Sequence, residues 1–81
     1  MVGALHVLAA DAHAGRGREA AAGIARLCGD GAPRAQRLLL AYLSWRIRQL
    51  AALQPRAFWP MLARCFEDAA AILVGSMDEG A

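Results

Sequence analysis

Eighty-one residues, 58% hydrophobic and 20% charged with a net charge of +2, make one small domain at most. That balance argues against an intrinsically disordered chain, and no run reaches the ~20 apolar residues of a membrane span. All nine basic residues are Arg, while Lys and Asn, whose codons are AT-rich, are absent, so the arginines read as coding bias before they read as function.

Helical periodicity appears four times between turn signals, and no alternating strand pattern occurs. The first segment runs from about Val2 to His13, with Val2, Leu5, Leu8, Ala9 and Ala12 on one face. Gly15 and Gly17 break the chain. The second runs from about Arg18 to Cys28 with a stripe of Ala20, Ile24, Leu27 and Cys28, and ends at Gly29-Asp30-Gly31. Gly23 inside it costs up to about 1 kcal/mol against Ala, which makes this the weakest helix.

The third segment starts at Pro33, suited to a first helical position, and runs to about Leu53. Leu39, Leu40, Leu43, Ile47, Leu50 and Leu53 fill one arc; Leu38, Tyr42 and Trp45 fill the next; Arg34, Arg37, Ser44 and Arg48 form the polar strip. Pro55 ends it. Phe58-Trp59-Pro60 reads as an apolar turn, because a residue before proline is pushed out of the helical region. The fourth segment then runs from about Pro60 to Val74, with Met61, Leu62, Cys65, Phe66, Ala69, Ile72 and Leu73 on one face and Arg64, Glu67 and Asp68 on the other. Gly75 is placed as its C-cap, and residues 76–81 form a frayed acidic tail.

The expected fold is therefore all-α, a small bundle of about four helices in a single domain. It is built on a C-terminal antiparallel αα-hairpin over residues 33–75, with a minor helical pair over 1–30 docked on it, because short connections favour antiparallel neighbours.

Chemistry finds little purchase. Cys28 and Cys65 match no zinc spacing and read as small buried apolar residues. His6 and His13 are two turns apart, about 10 Å, too far to share a metal without further ligands. Neither Gly15-Arg16-Gly17 nor Gly29-Asp30-Gly31 follows a strand as a phosphate loop must. The N-terminal MVGALHVLAADAHA lacks the basic start of a signal peptide. The reading is a cytoplasmic, non-enzymatic protein without metal, cofactor or small-molecule substrate.

The third segment carries the functional signal. A core-facing stripe is typically somewhat over 100° wide, and here the apolar arc is about twice that. An 81-residue chain buries only roughly 60–65% of its unfolded surface. Leu38, Tyr42, Trp45, Phe58 and Trp59 are left as anchors for another protein chain, in a homodimer or a heteromer. Arg46 lies within the apolar side. It either snorkels to water or meets Glu67, Asp68 or a partner's carboxylate, where it would set register and specificity. Six arginines and no acid lie between Gly31 and Phe66. A nucleic-acid binder is thus one alternative, though those arginines spread around the helix and no base-reading pattern accompanies them. An accessory subunit of a larger enzyme is another.

Two resemblances accompany these residues. Small residues before Gly15, then Glu19-Ala20, Ile24 and Pro33, resemble a single tetratricopeptide unit. Pro55-Arg-Ala-Phe58 followed by Glu67-Asp-Ala-Ala-Ala-Ile72-Leu73 is similar in layout to the small helical co-chaperones of the type III secretion needle. Pro60 departs from that layout, since it falls where the last helix would already be running. The resemblance implies a cytoplasmic heterodimer that sheathes an aggregation-prone secreted subunit.

Overall fold

The computed structural model describes residues 2–29 and 33–79, with side chains to Ser76. The expected turn at Asp30-Gly31 and the end of the tail at residues 80–81 lie outside the described residues. The chain forms four helices: α1 (Val2–His13), α2 (Gly17–Gly29), α3 (Arg34–Leu50) and α4 (Pro55–Glu79). The all-α bundle expected from periodicity is what the chain adopts.

Each boundary has a local cause. At the end of α1, Gly15 takes φ 77°, the left-handed conformation open to glycine. The Arg16 N–H then donates to the Asp11 carbonyl at 2.8 Å and the Gly15 N–H to the Ala12 carbonyl at 3.2 Å, a Schellman closure. The Arg16 side chain repeats the tie, Nε donating to Asp11 Oδ1 at 2.8 Å. Pro33 stands just outside α3, and its carbonyl accepts the Arg37 N–H at 3.0 Å. Between α3 and α4 the Leu53 N–H closes on the Leu50 carbonyl at 2.9 Å. The Gln54 carbonyl then accepts the N–H groups of Ala57 and Phe58 at 3.0 and 2.9 Å, opening α4.

Three expected boundaries are corrected. α3 stops at Leu50 rather than Leu53. Phe58-Trp59-Pro60 is not a turn: α4 begins at Pro55 and runs straight through Pro60. Pro55 is the residue suited to the first position, where a missing N–H costs nothing. Pro60 deletes one backbone bond, and the helix persists with Phe58 and Trp59 before it and Leu62 after it packed against the core. Gly75 is no cap either, since the helix continues to Glu79 and the start of the expected tail is its last turn.

The 25 residues of α4 span about 37 Å at 1.5 Å each, which accounts for the 40 Å long axis of the molecule. The other two dimensions, 22 and 20 Å, are those of helices packed two by two at about 10 Å. Val2 and Gly3 at the start of α1 line a cavity with Pro33 and Gln36 at the start of α3 and Leu73 and Ser76 late in α4. At its other end, α1 sets His13 beside Glu67. Thus α1 and α3 run one way and α4 the other.

The packing hierarchy differs from expectation. The most extensive contact is α1 on α4, ahead of both α3 on α4 and α1 on α2, while α2 barely touches α3. The first helix thus packs on α4 as well as on its neighbour α2. Leu5, Leu8 and Ala9 share one cluster with Leu40, Leu43 and Leu50 of α3 and Leu62, Phe66, Ala69 and Ala70 of α4. Alanine is common on both sides of this contact: Ala9 and Ala12 of α1 and Ala63, Ala69 and Ala70 of α4 are all buried. Phe66 fills the centre. The α2 stripe is shallower than expected: Ala20 and Gly23 are buried, Ile24 and Leu27 half-buried. Cys28, expected in the core, is exposed, while Cys65 is buried as expected.

Candidate protein-binding face

The outer side of α3 carries Leu38, Tyr42 and Trp45, spaced four and three residues apart and hence stacked on one helical face. Leu38 is 65% exposed and Trp45 54% exposed. Tyr42 is half-buried, its ring leaning on the core. Exposed Arg34, Arg37 and Arg48 flank them.

On α4, Met61 and Ile72, expected on the inward face with Leu62 and Phe66, are 41% and 56% exposed. The buried arc of α4 is centred on Leu62, Phe66, Ala69 and Leu73, so Met61 and Ile72 fall at its edge toward α3. Sequence periodicity could not place them, because an arc this wide does not show which of its edges a neighbour covers. Asp68 shares their side of the helix, seven residues from Met61 and four from Ile72.

The two helices are tied in register by a polar pocket of about 380 Å³ that brings Arg46 of α3 together with Met61, Arg64, Cys65, Glu67 and Asp68 of α4. Running antiparallel from that level, α3 carries Leu38 to the level of Ile72. One outward face of the α3–α4 layer therefore holds Leu38, Tyr42 and Trp45 beside Met61 and Ile72, with Arg46 and Asp68 at its middle.

Arg46 sits in the seam. Its Nη1 donates to Gln49 Oε1 at 3.0 Å. Its Nε is enclosed, with no hydrogen-bond partner among the described residues. The Cys65 sulfur beside the guanidinium raises the pKa of Arg46 above its ordinary value; Tyr42 and Asp68 add to this and desolvation subtracts. The group is thus a permanent cation at the edge of an apolar face. Of the two acids expected to meet it, Asp68 lines the same pocket without closing an ion pair on it, and Glu67 makes its pair with His13 at 3.5 Å.

Phe58 and Trp59 are placed differently from the other anchors. The two rings stack edge to face, centroids 4.8 Å apart at 86°. Both are half-buried against the core. Trp59 also covers the start of α2, its indole lying where a β-carbon on Gly17 would be. The Trp59 ring thus contributes to closing the end of the bundle.

No family model matches the chain, and no curated protein or solved structure is similar to it. The described helices include none long and apolar enough to cross a membrane. Among the described residues no three His, Cys, Asp or Glu side chains are grouped to hold a metal ion; His13 faces Glu67 alone.

Proposed function

We propose that the protein is a small, non-catalytic protein–protein interaction module that uses the outer face of the α3–α4 layer. One observation carries this reading: Leu38 and Trp45 stand more than half exposed on a shared face, where Met61 and Ile72 extend the apolar surface onto the next helix. Single exposed apolar residues are ordinary on any surface. Several large ones on one face, with a tryptophan among them, have the makeup of an interface core. A nucleic-acid role has less support, since the net charge is only +2 and the exposed arginines of α3 flank leucine and tryptophan. Action in the cytoplasm, as an adaptor or a chaperone-like cover for another chain, fits this reading.

A photo-reactive phenylalanine analogue in place of Trp45 tests it. Irradiation should give a discrete polypeptide adduct of defined mass, while the same analogue at exposed Ala21 on α2 should give none. Absence of any adduct from position 45 would refute the proposal.

A further inference from the structure

We infer that α2 is a detachable cover. It opens from the bundle as a unit while α1, α3 and α4 stay folded, and the surface it uncovers includes Leu8 and the Trp59 indole. The inference does not depend on what binds the α3–α4 face. Of the four helices, α2 has the least holding it. Only Ala20 and Gly23 are buried in it, and Gly23 brings no side chain. Its two large aliphatic residues, Ile24 and Leu27, are half-buried. Every other helix buries two leucines or more. Docking free energy follows the apolar area removed from water, so α2 gains least by staying in place.

The joint itself points the same way. Where α2 comes closest to the rest of the fold it does so on glycine, Gly17 against Trp59 and Gly23 against Leu8. Glycine permits the approach but lowers the stability of its own helix. A helix of 13 residues is too short to hold its form without tertiary packing, so propensity cannot supply what packing lacks. The seam is also incompletely filled. A cleft of about 620 Å³ lies along the α1–α2 joint, lined by Val7, Leu8, Gly23 and Leu27 and by the charged Glu19 and Arg26. Val7 is 60% exposed there. Elements with few buried apolar contacts and solvent along their seam are the ones that open sub-globally. The pivot is local. The N–H groups of Gly15 and Arg16, and the Arg16 Nε, all donate back to α1. Those two residues therefore stay with α1, and Gly17, with no side chain to obstruct rotation, is the first that can swing. In the closed state α2 is thus the chain's own occupant of the Leu8 and Trp59 surface.

Native-state hydrogen exchange of the full chain, followed by NMR in urea below the unfolding transition, tests the inference. Amides at residues 21–28 of α2 should exchange through one shared opening, with a weak urea dependence because little surface is exposed. They should be at least about 30-fold less protected than those at residues 6–12 of α1 and 62–73 of α4. Gly23→Val, which overfills the contact with Leu8, should speed α2 exchange about 30-fold. Phe66→Leu, at the meeting of α1, α3 and α4, should speed exchange in α1 and α4 and leave the α2 opening unchanged within about twofold. Amides of α2 that open only together with those of α1 and α4, at the same urea dependence, overturn the inference. So does Phe66→Leu speeding α1, α2 and α4 alike. Protection that falls off residue by residue from the ends of α2 also overturns it, since that is fraying and not release of a unit. None of these results alters the photo-adduct at position 45, so the interaction reading stands or falls separately.

Discussion

Gly23 of α2 lies directly under Leu8 of α1, so that a β-carbon on Gly23 would overlap the Leu8 Cδ2 methyl. A residue that weakens its own helix is thus the point at which that helix reaches the bundle. Replacing a helical glycine by alanine ordinarily gains about 1 kcal/mol. Here Gly23→Ala should forfeit that gain, because the buried Leu8 side chain must turn aside. Gly23→Val, which no single methyl rotation accommodates, should lose about 2 kcal/mol. Urea unfolding of both variants measures this, and a stabilised Gly23→Val would show that α2 does not sit on α1 as described.

Gly17 is the second close approach, against the Trp59 indole. Gly17→Ala should displace the ring and cost about 1–3 kcal/mol. In a Trp45→Phe background the remaining tryptophan emission should shift to the red. An unmoved spectrum together with unchanged stability would contradict the packing of α4 on the first turn of α2.

Pro60 has no N–H to give to the Arg56 carbonyl, four residues earlier in α4. Its side chain is exposed, so nothing is lost from the core on replacing it. A proline inside a helix costs about 3 kcal/mol, partly offset by about 0.4–1 kcal/mol of reduced unfolded-chain entropy. Pro60→Ala should therefore raise stability by about 2–2.6 kcal/mol in chemical denaturation. A loss instead would mean that the chain really does turn at Trp59-Pro60.

Phe66 is completely buried at the meeting of α1, α3 and α4. Phe66→Ala should cost about 3–5 kcal/mol, most of what a domain of this size has available. Phe66→Leu should cost less than about 1.5 kcal/mol if it repacks. Thermal melts of the pair decide it; a mild alanine variant would place the core elsewhere.

The two thiols should differ sharply in reactivity. Cys28 is exposed at the end of α2 and Cys65 is buried beneath the Arg46 seam. A chromogenic disulfide reagent should modify one thiol per chain in the native state and the second only after unfolding. Rapid modification of both would mean that the α3–α4 seam opens readily.

The amino-acid sequence by itself determines four helices and most of their inward faces. The buried set Leu5, Leu8, Ala9 and Ala12 follows from 3.6-residue periodicity, and the Gly15 turn from the need for a left-handed residue after α1. These are local facts, settled within one or two turns of chain. The tertiary structure alone decides how the faces are shared out. Whether Met61 and Ile72 are covered, whether Cys28 is, and whether α1 prefers α4 to α2 depend on which neighbour lies against which edge of a wide apolar arc, and an arc has no label for its partner. The same holds for Trp59-Pro60: local stereochemistry disfavours helix there, and long-range contacts from Phe58 and Trp59 into the core override it. Gly23 shows the reverse, a locally unfavourable residue whose value exists only once Leu8, fifteen positions earlier in the chain, has been folded over it.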